Sequence, residues 1–362
     1  MLARSAGSLA GFASAASGQC RHSPMHAHFG NYLMTSANAS TVMPSTLNHG
    51  PAQSTRRHAL VTGAAALTML SLSKPADARS EGAGAVPTRF VEVGGRKLAY
   101  RSVGRGKPVV LAHRFRGVID LWDPLFIDAL AAQGFQVVTF DHSGLGLSTG
   151  DRSYNPASLV KDTKDLIDAL GLKDVVIGGW SFGGIVAQIY VAMFGASVSH
   201  AVLISTTPPG KLAKPGEQRF YDAAAQDAAT LDQYTTLFFE PKDAASRAAS
   251  QRSFERIFAR KTGRSPDVPA DWALKQVPQS PPNPMFPSDE VLQALKNTNV
   301  PILHLGGDHD ISVPVENWYA LGGQLPTLNL ITYPRAGHAP HHQEPELAAA
   351  QIAAFIKGTR KA

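Results

Sequence analysis

From Arg89 onward, short runs of β-branched and other apolar residues alternate with stretches whose apolar positions recur every three or four residues. The short runs predict strands at 90–93, 98–102, 109–112, 137–140, 175–177, 201–204, 302–305 and 328–333. Between them, residues 156–170 place Leu159, Val160, Leu166, Ile167 and Leu170 on one helical face, and Gly171 follows as a terminator. Residues 185–194 read as a second helix. Such alternation predicts an α/β fold, a mostly parallel central sheet with helices on both faces.

The pattern breaks at about residues 208–287. Helical periodicity there covers 218–239 and 244–261, a proline-rich stretch follows from Pro278 to Pro287, and no run reads as a strand. This segment is expected to be a helical cap inserted between two strands, placed where a lid over a site forms. The core then comprises residues 79–207 and 288–362. No internal repeat is visible.

Ahead of the core, residues 1–78 form a leader whose first 53 residues are rich in Ser, Ala, Gly and His without a sustained apolar period. Thr55-Arg56-Arg57-His58-Ala59-Leu60 resembles a twin-arginine export motif, with Ala59 where Phe is commoner. A weakly apolar run continues to Leu72, then Lys74, then the small-x-small sequence Ala76-Asp77-Ala78. The run is too short for a stable membrane anchor. The expectation is a leader removed on export, with the mature protein starting near Arg79, in the periplasm or outside the cell. Met34 and Met43 are alternative starts, since about fifty residues precede the arginines.

Composition adds little beyond this. Of 362 residues, 44% are hydrophobic and 17% charged, ordinary for a globular chain. The net charge of +6 is concentrated in the leader, where Arg4, Arg21, Arg56, Arg57 and Lys74 face only Asp77. The remainder shows no clustered basic face that would bind nucleic acid. The single cysteine, Cys20, also lies in the leader. A disulfide framework or thiolate metal site in the rest is therefore excluded.

The chemistry concentrates in three places. Gly178-Gly179-Trp180-Ser181-Phe182-Gly183-Gly184 joins a predicted strand to a predicted helix. Glycine serves where φ must turn positive or where backbones must approach closely, so this is a tight turn presenting one hydroxyl. Such a hydroxyl needs an imidazole to take its proton and a carboxylate to orient that imidazole. Downstream, Gly306-Gly307-Asp308-His309-Asp310-Ile311-Ser312-Val313-Pro314 follows one strand, and Ala336-Gly337-His338 follows the last.

The order Ser, Asp, His, each at a strand end, with Gly179-Trp180-Ser181-Phe182-Gly183 as G-x-S-x-G, resembles the α/β-hydrolase superfamily over residues 90–355. The resemblance implies the α/β-hydrolase fold, Ser181 as nucleophile and His338 as base. The family spacing G-x-x-D-x-x-V-P falls on Asp310 as the acid, with Asp308 as the alternative. It further implies an oxyanion hole from the backbone N–H groups of Phe182 and Phe115, the latter in His113-Arg114-Phe115-Arg116-Gly117. There Arg114 replaces the usual glycine. Arg114 or Arg116 reaches a substrate carboxylate, or else is solvated or paired with Asp120 or Asp123; Trp180 is a further substrate-binding candidate.

Residues 141–148 are similar to the family's D-x-R-G-x-G-x-S turn, with Ser143 in place of Arg; Asp141 and the glycines are expected to shape a loop. His341 and His342 are expected to line the mouth of the site, and no metal is expected. The resemblance thus implies a cofactor-free serine hydrolase of small molecules, most simply of carboxylic esters or lactones. Amide or carbon–carbon bond hydrolysis, a cofactor-free haloperoxidase or perhydrolase, and a ligand-binding protein with little turnover are the alternatives. The haloperoxidases often carry proline after the oxyanion phenylalanine, where this chain has Arg116. Aspartate-nucleophile chemistries are disfavoured by Ser181 itself.

Overall fold

The computed structural model describes residues 81–226, 229–277 and 288–361. The expectations for Arg56, Arg57 and the cleavage site at Ala78 lie outside these residues, as does the proline-rich 278–287 stretch. All eight predicted strands are present, as β1 (Arg89–Val93), β2 (Arg96–Gly104), β3 (Lys107–Ala112), β4 (Phe135–Phe140), β5 (Val175–Trp180), β6 (Val198–Ile204), β7 (Ile302–Gly307) and β8 (Leu328–Tyr333). They form one sheet in the order β1-β2-β4-β3-β5-β6-β7-β8. β2 is antiparallel to both its neighbours. Every pair from β4–β3 across to β7–β8 is parallel.

Before the break in the pattern, the strands are linked by α1 (Pro124–Ala132), α2 (Pro156–Ala169) and α3 (Phe182–Phe194). Local chemistry sets their starts. The Asp123 and Asn155 side chains accept hydrogen bonds from the Leu125 and Ala157 N–H groups, with proline as the first helical residue in each case. Helices cover both faces of the sheet and divide the core in two. Leu159, Leu166 and Tyr190 of α2 and α3 belong to one apolar cluster. Phe126 and Leu130 of α1 belong to the other, with Ile352 and Ile356 of the final helix. β5, β6 and β7 are buried along their whole length, as strands covered on both faces must be.

Between β6 and β7 the described residues hold helices and no strand: α4 (Gln218–Ala224), α5 (Leu231–Phe238), α6 (Ala244–Ile257), α7 (Ala270–Ala273) and α8 (Asp289–Asn297). The helix expected over 218–239 is two helices. Thr230 starts the second, its hydroxyl accepting from the Gln233 N–H at 3.2 Å, and such a cap needs a non-helical backbone just ahead of α5. The helix expected over 244–261 ends at Ile257. After β7 come α9 (Glu316–Tyr319), α10 (Pro340–Gln343) and α11 (Pro345–Gly358). Among the described residues no helix is long and apolar enough to cross a membrane.

Candidate active site

β5 runs straight into α3 with one residue between them. Ser181 sits there at φ 55° and ψ −116°, a conformation that L residues rarely adopt and that costs about 1–3 kcal/mol. Its backbone is held from several sides. The Ser181 N–H donates to Ile204 O at 2.8 Å, and its carbonyl accepts from the Thr206 hydroxyl at 2.7 Å and the Gly184 N–H at 2.8 Å. The side chain occupies the N-cap position of α3 and makes no capping hydrogen bond. The hydroxyl is thus not spent on the helix.

The flanking glycines are there for close approach. None of Gly178, Gly179, Gly183 and Gly184 has a positive φ. A Cβ on Gly179 would stand 2.1 Å from Gly183 O, one on Gly183 2.1 Å from Ala112 O, and one on Gly184 2.5 Å from Thr206 Cβ. Strain sits on the serine, and the glycines let β3, β5 and α3 close around it.

The two aspartates after β7 separate cleanly. Asp310 is buried; its Oδ2 lies 2.7 Å from His338 Nδ1, and its Oδ1 accepts from the Ser312 and Val313 N–H groups at 2.8 and 2.9 Å. A carboxylate so held accepts a hydrogen bond from the Nδ1–H of His338, fixing the proton on Nδ1 and leaving Nε2 as the basic nitrogen. Asp308 instead accepts from its own neighbour, His309, at 2.6 Å on the exposed side of the turn.

Ser181 and His338 line one cleft of about 900 Å³, together with Arg114, Phe115, Phe220 and Phe238. Ser181 also lines a second, adjoining cavity of about 730 Å³, walled by Phe115, Phe182, Ile185, Leu212 and Phe220. Phe182 is the first residue of α3, where an N–H has no intrahelical acceptor. The loop after β3 closes through the Gly117 N–H and Arg114 O at 2.9 Å. Its positive φ falls on Arg116, at 56°, so a side chain at 114 is tolerated. Arg116 is tied down: its N–H donates to the Tyr154 hydroxyl at 2.8 Å, and its guanidinium to Ala224 O at 2.9 Å and Gln226 O at 3.2 Å beyond α4. Neither arginine pairs with Asp120 or Asp123. Arg101 holds the first at 2.7 and 3.0 Å, and Arg256 holds the second at 2.8 and 2.6 Å.

Three candidates lie elsewhere than expected. Trp180, beside the serine in sequence, is buried outside both cavity walls, and its indole N–H donates to His338 O at 2.8 Å. It supports the histidine loop from behind. His341 and His342 are fully buried, not at a mouth: their rings pack against Trp180 at 4.7 and 4.8 Å. Burial, reinforced for His341 by the neighbouring histidine rings, holds it well below the usual imidazole range, and His342 is pushed down to about 3. Burial does the same to His113, and lowers His304, stacked on Trp318, to about 3.

The Asp141 turn is structural as expected. Its carboxylate accepts from the Ile119 and Leu147 N–H groups and from the Ser265 hydroxyl, joining three loops. At the family's arginine position Ser143 stands, and a guanidinium arrives from β2: Arg96 donates to Ser143 Oγ at 2.7 Å and to Asp162 at 2.8 Å. Sequence reading missed Thr206 and Phe238, which carry no motif and reach the site only through the fold.

A strained serine between strand and helix, a carboxylate-anchored histidine from the last strand's loop, and an eight-stranded sheet with one antiparallel interior strand define an α/β hydrolase. The family described as the alpha/beta hydrolase fold matches residues 107–345, and the chain belongs to it. It is 26% identical over 277 residues, 73% of this chain and 98% of the other, to BpoC of Mycobacterium tuberculosis, provisionally named a non-heme bromoperoxidase. A non-heme haloperoxidase of Rhodococcus erythropolis is 33% identical over 117 residues, 32% of this chain and 42% of that one. Among solved structures, an alpha/beta hydrolase fold protein from Chitinophaga pinensis superposes with a TM-score of 0.64 at 25% identity, covering 77% of this chain and all of the other.

Proposed function

We propose that the protein is an exported, cofactor-free serine hydrolase that cleaves a carboxylic ester or lactone through an acyl-enzyme. The observation that carries this reading is the meeting, in one cleft, of Ser181 at φ 55° and His338 anchored by Asp310 at 2.7 Å. His338 Nε2 takes the hydroxyl proton as Ser181 Oγ bonds to the carbonyl carbon. The charge that develops on the carbonyl oxygen is met by the N–H groups of Phe115 and Phe182. His338 then gives its proton to the departing alcohol as the ester C–O bond breaks, and a water molecule repeats the sequence to release the acid. The helices between β6 and β7 act as the cap.

The relatives named for halide peroxidation favour a second reading on the same residues. Hydrogen peroxide in place of water at the acyl-enzyme gives a peracid, which oxidises halide in solution.

The test uses the full chain in a host with twin-arginine export, a chromogenic short-chain ester and a fluorophosphonate label. A stoichiometric burst is expected, with label on a species whose N-terminus lies near Arg79, and Ser181→Ala should lack both. More than about a tenth of the wild-type rate in Ser181→Ala overturns the nucleophile assignment. An N-terminus upstream of Ala59 overturns export by cleavage. Label and burst without turnover convert the reading to a binding protein.

A further inference from the structure

Arg114 stands out among the charged residues of the cleft. Its Nη1 donates to the carbonyl of its own neighbour, Phe115, at 2.8 Å, and its Nε is buried without a partner. Its guanidinium carbon lies 4.7 Å from the Phe238 ring centre and 5.2 Å from that of Trp180. Among the described residues no carboxylate comes within ion-pairing distance of it. Asp120 and Asp123 are held by other arginines, and Asp267, which shares the cleft lining, is exposed and makes no ion pair with it.

A guanidinium partly withdrawn from water, as in the half-buried Arg114, carries a desolvation cost that an anion would offset and that aromatic faces offset only in part. Burial pushes Arg114 down to about 10, so it remains a cation at neutral pH. A cleft that keeps such a group beside the reacting serine is built for a ligand that supplies the missing charge.

The two cavities that meet at Ser181 then divide the substrate. The histidine must stand beside the leaving oxygen to protonate it. His338 lines the Arg114 cleft and is absent from the walls of the second cavity. Phe238 and Trp180, the rings under Arg114, are also neighbours of His338, with ring centres 6.2 and 6.1 Å from it. The leaving alcohol and the cation therefore share one side. The other side, which has Ile185, Leu212 and Val313 to itself while Phe220 lines both, is largely apolar and holds no charged side chain among the described residues.

We propose that Arg114 sets specificity for esters whose alcohol portion bears a carboxylate and whose acyl portion is apolar. This rests on the serine-hydrolase reading, and the experiment separates the two. The substrates are phenyl butyrate, meta-carboxyphenyl butyrate and phenyl hydrogen succinate, which place the carboxylate nowhere, on the alcohol and on the acyl group. In kcat/KM, the wild type should favour meta-carboxyphenyl butyrate over phenyl butyrate by about tenfold, equivalent to about 1.4 kcal/mol. Arg114→Gln should abolish that ratio, mainly through KM, and Arg114→Lys should keep part of it, since charge remains and the fork is lost.

An equal loss on both butyrates in Arg114→Gln overturns the proposal, as does an Arg114-dependent preference for the succinate ester. Should Arg114→Gln not fold, competition in the wild type decides: meta-hydroxybenzoate should inhibit about tenfold better than phenol, and equal inhibition overturns the proposal. Failure of the wild type on all three esters would instead sink the hydrolase reading.

Discussion

Ser181, Asp310 and His338 occupy positions where the backbone leaves a strand, and there a residue's identity and its spacing carry most of the information. The serine was legible because a strand, a tight turn and a helix surround it. The Val313-Pro314 spacing singles out Asp310 rather than Asp308, and in the structure the turn brings the Ser312 and Val313 N–H groups onto one Asp310 carboxylate oxygen and leaves the other for His338. Asp310→Asn should therefore lower kcat by about 10³–10⁴-fold, because the amide holds the wrong imidazole tautomer. Asp308→Asn should stay within about threefold, its partner being the exposed His309. Measuring both variants on one neutral ester checks the assignment, and the reverse order transfers the acid to Asp308. Trp180 was not legible in the same way: adjacency to Ser181 says nothing about which side of the sheet end its ring takes.

Elements were read well where burial dictates composition and less well where it does not. The inner strands β5, β6 and β7 emerged because apolar runs covered on both faces have few alternatives. The helices between β6 and β7 were misjudged in extent, since half-buried helices with mixed periodicity leave their ends to local caps such as Thr230. At the elbow, the fit of α3 against the end of β3 depends on the missing side chain of Gly183. A Cβ there would meet Ala112 O at 2.1 Å and His113 O at 2.7 Å, in the loop that leads to Phe115. Gly183→Ala should cost about 1–3 kcal/mol of stability and most of the activity. Gly358→Ala, at the end of α11 with nothing within 4 Å, should be neutral or slightly stabilising. Thermal unfolding of the two variants beside wild type checks this; equal Tm values would show that the elbow has room.

For the molecule as a whole, the mostly parallel sheet and the placement of helices between β6 and β7 follow from the alternation of patterns along the chain; the order of the strands does not. Cavity shape does not either, because it depends on which side chains of the helices between β6 and β7 point inward. Nor did the sequence reveal how many histidines the fold takes out of water. His113, His304, His341 and His342 are buried and held neutral, with burial as the leading cause in each. An unfolded chain lets each of them take up a proton near pH 6.5, whereas the native chain does not. Their contribution is thus fully present above about pH 6.5 and is lost as pH falls toward the depressed native values. The loss approaches about 1.4 kcal/mol per histidine per pH unit well below about pH 6.5, and between about pH 6.5 and pH 5.5 it is about 1 kcal/mol each, on the order of 4 kcal/mol for the four. That is a large share of the net stability of an ordinary domain. Guanidinium unfolding at about pH 7.5 and about pH 5.5 should show a much lower midpoint in acid, and His341→Phe should shrink the difference; equal midpoints contradict it. On the export proposed above, the protein meets a pH less tightly regulated than that of the cytoplasm, and the same buried rings would then set an acid limit on the folded state itself.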